Sequence, residues 1–428
     1  MVTRRSFMGG VSGLMATWPF GGGARAGRSA GAAPALPAPD DVGFWDAIRA
    51  EFLLSRDEVF FNSATLGSPP RVVVDRVADS LRSLTASLAE WDYYPEHPSW
   101  ITGYETDQPV RRKFARVLNA AAMEEIALTQ NATSGMNFIA NGLELRPGDE
   151  IVSTDQEHPG GRCGWELRAK RYGVKFVPVA LAMPPNDPGA VIRAMTGAFT
   201  PRTRVLAVAH ITSALGIVLP VEELCHAARQ RGIFSVIDGA QALGHVKVDV
   251  RAMGCDAWHA SAHKWLLAPA GTGCLYVRGE HLPAVWTTLA TSTWAGHPDG
   301  GFRLSTPGTG SKPLLDGLDA ALDFHDRIGP DRIHARVKEL GDHLRAGLQR
   351  IPRVRIHSSV HPAMCAGITT YGVEGMDGAV MQDTLWARGR MRPRKQGPLG
   401  VRHSTHIYNN EAEIDGALAI VDEMARRG

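Results

Sequence analysis

Cysteine is scarce in this chain: five in 428 residues, at positions 163, 225, 255, 274 and 365. So few, and an odd number, make no disulfide framework and leave at least one thiol unpaired. No two of them stand as C-x-x-C, so a zinc site of that type has no support. An excess of either charge is missing too. Lys and Arg number 46 against 44 Asp and Glu, a net charge of +2. That balance gives no support for nucleic acid or another polyanion as a partner. Past residue 30 no apolar run is long enough to cross a bilayer, so no membrane is expected around the mature chain. There is no internal repeat and no long charge run. GTGSK at 308–312 lacks the G-x-x-x-x-G-K-[ST] order of a phosphate loop. What is present is globular composition, 44% hydrophobic and 21% charged. The length suits two or three domains, or one large and one small.

The first residues read as an address. Arg4 and Arg5 precede Phe7, a weakly apolar stretch follows, and Ala24-Arg25-Ala26 resembles a cleavage site. The paired arginines are expected to mark a twin-arginine signal, which implies export to the periplasm or beyond by that machinery. Residues 1–38 are therefore set aside as signal and linker. Residues 39–70 form an N-terminal segment expected near the active site, 71–325 a large domain and 326–428 a smaller C-terminal one.

Helical spacing marks FWDAIRAEF, residues 71–90 and VRRKFARVLNA. From about 126, β-type runs alternate with helices: EIALTQ, EIVSTD, KFVPVAL, RVLAVAHI, FSVID, AWHAS and GCLYVR. Runs apolar throughout, spaced by helices, imply an α/β fold with a mostly parallel sheet covered on both faces. The tail returns to amphipathic helix, short strands and a closing helix, an α+β pattern.

In such a sheet ligands sit at the carboxyl ends of the strands. FSVID ends in Asp238. AWHAS ends at Ser261 and leads to His263 and Lys264. EIVSTD leads to His158, and EIALTQ to Thr133 and Ser134. A buried lysine is costly unless paired or chemically committed. Pyridoxal phosphate accounts for the whole set. It needs a lysine amine for a Schiff base (Lys264), a carboxylate at the pyridine nitrogen (Asp238), and a flat group over the ring (His158). It also needs hydroxyls and helix-end amides at the phosphate, which Thr133 and Ser261 with His263 supply. Singly the residues read blandly: Asp238 as a helix cap, Lys264 as a loop cation, His158 as a loop histidine. Two carriers 26 residues apart, each after its own strand, are a far more specific pattern. His210 reads as structural. His259 with His263, and His403 with His406, lack further ligands, so no metal is expected.

Here the chain resembles the class V group of fold-type I pyridoxal-phosphate enzymes, which includes cysteine desulfurases, isopenicillin-N-epimerase-like proteins, kynureninases and sulfur lyases. The resemblance runs from about residue 41 to the C-terminus. FFNSATLGSPP, TQNATSGMN, DQEHPGG, VAHITSALGIVLPV, VIDGAQALGHVKVD, SAHKWLLAPAGTGCLYVR, PGTGS and GVRHSTHIYNNEAEID carry it. It implies that His158 stacks on the ring and that Gln241 meets the ring hydroxyl. It also implies that Ser213 and Ser134 adjoin the cofactor, and that Thr309 reaches the phosphate of a neighbouring subunit, making a homodimer. Arg402 in GVRHS is the first candidate for a substrate carboxylate, as a forked guanidinium suits that task. Arg394 is the second, and Asn62 stands close by in the same reading.

Three departures narrow the chemistry. No cysteine occurs in RGRMRPRKQGPLGVRHSTHIYNN, where a desulfurase needs a mobile one. Ser213 stands where desulfurases carry Asn, and Ser134 where many relatives carry Glu. The expectation is an enzyme acting on an amino acid or derivative, lyase or epimerase-like. A transaminase remains an alternative, and so does a non-catalytic exported binding protein. Trp91, Tyr93, Tyr94 and Trp100 are candidate pocket-shaping residues, with plain packing the slightly favoured reading for each.

Overall fold

The computed structural model describes residues 43–88, 109–290, 294, 297–305 and 310–427. The leader at 1–38, the aromatic run at 91–100 and Thr309 lie outside the described residues.

Each apolar run expected as a strand is one. The large sheet holds β2 (Ile126–Thr129), β3 (Glu150–Thr154), β4 (Lys175–Val179), β5 (Thr203–Ala209), β6 (Phe234–Asp238), β7 (Ala257–Ser261) and β8 (Gly273–Val277). It follows a two-residue β1 (Val59–Phe60). The spatial order is β2-β8-β7-β6-β5-β3-β4. Every residue of β3, β7 and β8 is buried, as expected of strands covered on both faces. Helices Pro159–Tyr172, Pro188–Gly197 and Val221–Arg229 connect successive parallel strands. The second of these, absent from the sequence reading, starts at an Asp187 cap with Pro188 in its first turn.

β8 runs antiparallel to both neighbours. Eleven residues, 262–272, join it to β7, short of the dozen or more that a parallel return with a crossover requires. Those eleven residues include Lys264.

A second sheet joins β9 (Val354–Ile356), β10 (Ile368–Val373), β12 (Arg394–Lys395) and β13 (Val401–Ser404) in the order β12-β13-β10-β9, all antiparallel. Helices Pro330–Leu348, Gly378–Gly389 and Glu411–Arg427 bury Leu344, Met381 and Val421 against it. β11 (Met391–Arg392) pairs parallel with β1 and so ties the N-terminal segment to this layer. The passage into the layer comes at Gly329 (φ 97°), between the helix ending at Ile328 and the one opening at Pro330. All described residues belong to one compact unit.

Candidate active site

Along the sheet the chain steps outward from β3 to β4 and then returns past β3 to β5. Such a switch point opens a crevice at the carboxyl ends of the strands. A cavity of about 290 Å³ lies there. Residues from the ends of β2, β3, β5, β6 and β7 reach its wall. Thr133, His158, Ser213, Asp238, Gln241, Ser261, His263, Lys264 and Arg394 all line it. Ser134, Asn62 and Arg402 do not. Ser134 turns its hydroxyl to Asn131 Oδ1 (3.2 Å), inside the cap of helix Ala132–Gly142.

Lys264 hangs from the β7–β8 connection. The N-terminal segment closes over its backbone, with Gly67 N–H donating to His263 O (2.8 Å). A Cβ at Gly67 would collide with the Lys264 carbonyl oxygen, so this approach requires glycine. Among the described residues the Lys264 amine has no hydrogen-bond or ion-pair partner. Burial brings its ammonium down to about 8, with the attraction of Asp238 opposing and the charges of Arg402 and Arg394 adding to the fall.

Asp238 divides its two oxygens. Oδ1 accepts from Ala240 N–H (2.8 Å), which is the capping role, and lies 3.9 Å from His259 Nδ1. Oδ2 faces helix Pro159–Tyr172, where a Cβ on Gly161 would come within 2.6 Å of it. Gly161→Ala is therefore expected to displace the carboxylate and weaken cofactor binding by about tenfold or more, since a displaced charge-assisted bond is worth roughly 1.5–3 kcal/mol. Titration of the cofactor-free protein with pyridoxal phosphate measures this.

At the opposite end, Asn131 caps helix Ala132–Gly142 and Ala132 N–H donates to Ser261 Oγ (2.9 Å). That bond leaves the Ser261 proton free to donate. The Thr133 hydroxyl and the helix-end amides add donors where an anion is favoured. His263 Nδ1 is buried without a partner. On the cavity wall such an unsatisfied polar atom is open to a ligand.

His158 caps helix Pro159–Tyr172, with Nδ1 accepting from Gly160 N–H (3.0 Å). Burial, then the charge of Lys264, holds its pKa below the ordinary value. It is thus a neutral ring with the proton on Nε2.

Arg402 sits behind the wall, 1% exposed. Nη1 donates to Ser213 O (2.6 Å), and Nη2 to Thr65 Oγ1 (2.9 Å) and Asn62 Oδ1 (3.1 Å). Its Nε is buried and unpartnered. Arg394 is exposed, faces the cavity and shares Thr65 Oγ1 (3.3 Å). The two guanidiniums thus meet on one hydroxyl. Burial, then the charge of Arg394, brings Arg402 down to about 9.

Four further residues contribute that were not among the expected site residues. Thr65 links both arginines. Gly160 and Gly161 let a helix end approach the cavity. Glu157 is buried, with Oε1 accepting from Thr154 Oγ1 (2.7 Å) and Ala209 N–H (3.1 Å). Burial raises its carboxyl to about 7. The glycines were legible in EHPGG. Glu157 carried no signal, because its burial depends on β5 lying beside β3. His210 lies off the wall. Among the described residues no group of three or more His, Cys, Asp or Glu could hold a metal ion.

A lone amine facing a carboxylate across a slot, with a neutral imidazole at one side and an anion-binding helix end at the other, fits pyridoxal phosphate group by group. Fold and site define a fold-type I pyridoxal-phosphate enzyme. The family profile "Aminotransferase class-V" matches residues 59–416, and the chain belongs to that family. It is 31% identical over 404 residues to isopenicillin N epimerase of Streptomyces clavuligerus, covering 90% of this chain and 99% of that one. It is 30% identical over 406 residues to a probable cysteine desulfurase of Xylella fastidiosa, covering 88% and 95%. Among solved structures, a C-DES variant with glycine covalently linked to its PLP cofactor superposes with a TM-score of 0.77 at 24% identity, covering 88% and 99%.

Proposed function

We propose that this pyridoxal-phosphate enzyme acts at the α-carbon of an amino acid or amino-acid derivative, as a lyase or an epimerase. The observation that carries the reading is the unpartnered Lys264 amine, brought to about 8 and facing Asp238. Pyridoxal phosphate, when bound, supplies an electron sink for negative charge developing beside the amino group. Lys264 Nζ takes and returns the α-proton, since an amine titrating near 8 exists in both forms at working pH. Asp238 Oδ2 holds a proton at the ring nitrogen. His158 presents its flat neutral face and excludes water. Arg394, on the cavity wall, receives the substrate carboxylate, and Arg402 behind it holds Thr65 and Ser213 in place.

Sulfur transfer is the less supported branch. Of the cysteines, four are buried and the exposed one, Cys163, is off the cavity wall. The near full-length similarity to an isopenicillin N epimerase supports the epimerase side of the proposal.

Incubation with an amino-acid panel in deuterated water decides among the reactions. Oxoacid and ammonia released indicate a lyase, and loss of configuration with deuterium uptake an epimerase. Amino transfer that requires an added oxoacid would replace both with a transaminase. No turnover and no α-exchange with any member would leave a binding protein. Arg402→Lys keeps the charge but loses the fork. It is expected to raise KM by about 10–100-fold, the cost of a charge-assisted bond, with a smaller fall in kcat.

Two further proposals concern the setting. Arg4-Arg5 and the apolar run after them support export by a twin-arginine route, which replacement of both arginines by lysine should abolish in a cell-fractionation assay. The PGTGS segment supports a homodimer sharing its active sites, which sedimentation in the analytical ultracentrifuge should register as twice the mass of one chain.

A further inference from the structure

Gln241 is 2% exposed, and its amide is fully directed. Its Oε1 accepts from Trp265 Nε1–H (2.8 Å), and its Nε2 donates to Ala64 O (2.9 Å) and Ser213 Oγ (3.3 Å). An indole nitrogen only donates. Trp265 therefore sets which end of the amide points away from it. Ser213 Oγ, accepting from Gln241, accepts also from Arg402 Nη1 (3.4 Å). With both lone pairs directed at donors, the Ser213 proton is left for the cavity, whose wall Ser213 joins.

Trp265 is itself held from several sides. Its ring stacks with His245 at 3.6 Å between centroids and 9°, and with His406 at 5.3 Å and 24°. His406 Nε2 donates to the Trp265 carbonyl (3.0 Å) while its Nδ1 accepts from Ile407 N–H (2.7 Å). His245 Nδ1 donates to the Gln241 carbonyl (2.8 Å) while its Nε2 accepts from Gly367 N–H (2.8 Å). Both tautomers are fixed by their partners, and both rings are buried. The residue next to the catalytic lysine is thus immobilised and carries one directed N–H.

The geometry points to Trp265 as a positioning residue: its indole N–H fixes the Gln241 amide with an N–H toward Ser213, so that the Ser213 hydroxyl can only donate toward the ring oxygen of pyridoxal phosphate. The inference rests on the assignment of that cofactor to the cavity. Donors at the ring oxygen favour its anionic form and lower the pH at which the bound chromophore loses its proton. Reversing the amide would turn an acceptor toward Ser213 and draw its proton away from the cavity.

Trp265→Phe keeps an aromatic ring for the stack and removes the N–H. With holoenzyme, the pH midpoint of the visible absorbance is expected to move up by about one unit, a tenfold change in proton affinity. The pyridoxal-phosphate dissociation constant of the apoprotein should rise about fivefold or more. Ser213→Ala should shift the midpoint the same way. The double variant should shift it no further than the larger single change, because one chain is cut twice. The other titratable groups facing the cavity (Lys264, Asp238, His158, His263, Arg394), Arg402 behind it, and His245 and His406 against the indole stay unchanged in all three proteins, so the shift reads the chain. Gln241→Leu, which leaves the stack intact, gives the same shift if Trp265→Phe does not fold. An unmoved midpoint in a folded Trp265→Phe, or full additivity in the double variant, overturns the inference. A wild-type apoprotein that takes up no pyridoxal phosphate overturns the cofactor assignment instead.

Discussion

Lys264→Ala is expected to bind pyridoxal phosphate without developing the visible absorbance of the wild-type protein, and to lose turnover by about 10⁴-fold or more, the upper range for removal of a single proton carrier. The expectation follows from position. Among the described residues the Lys264 amine has no partner and is the sole lysine on the cavity wall. No neighbour can replace it. His158 has its Nδ1 committed to Gly160 N–H, and His263 carries a ring rather than a primary amine. Lys264→Arg separates the two roles of the lysine. It retains a cation opposite Asp238 but has no amine to attach, so it should match Lys264→Ala in absorbance and turnover while binding the cofactor more tightly. Spectra of purified protein with added cofactor, and single-turnover assays, check both variants. An alanine variant with wild-type absorbance would mean that the attachment lies elsewhere.

How much of this was legible beforehand depends on where each signal resides. The seven strands of the large sheet were readable because each is a largely apolar run between turns, fully buried in β3, β7 and β8 and partly exposed in the edge strand β4. Asp238, Lys264, His158, Thr133 and Ser261 were readable because strand ends are where such sheets place ligands. What escaped reading depends on contacts distant in sequence. The direction of β8 follows from the length of one connection. Arg402 lies behind Thr65 and Ser213 because residues 62–65 fold against β13, an arrangement that no local pattern carries. Glu157 resembles any polar loop residue until β5 supplies Ala209 N–H beside it. Trp265 read as part of an apolar run, and its N–H gained meaning only once Gln241 was placed 2.8 Å away.

Acid should unfold this protein well above the pH at which carboxylates titrate. Burial lowers His245 and His403 to about 3, and His210, His325 and His406 to about 4, against an ordinary value of 6.5. The unfolded chain therefore takes up protons below pH 6.5 that the folded chain refuses. Stability is complete above that value and falls as pH drops toward 4. At pH 5 each histidine costs about 2 kcal/mol, so the five together cost on the order of 10 kcal/mol. Glu157 acts in the opposite sense. Its carboxyl is raised to about 7, so the folded state gains a proton first and recovers about 2–3 kcal/mol at the same pH. One carboxyl offsets about one histidine, and the remaining loss is comparable to the whole stability of an ordinary domain, about 5–15 kcal/mol. Thermal unfolding of the apoprotein should show a melting temperature at least about 10 °C lower at pH 5 than at pH 7.5. His325 provides an internal control, because its Nδ1 is buried without a partner and it lies outside the cavity. His325→Leu should keep the pH 7.5 value close to wild type and recover roughly one fifth of the loss at pH 5. A flat profile between those two pH values would show that the histidine cluster is charged or hydrated in the folded state, contrary to the packing of His245 and His406 around Trp265.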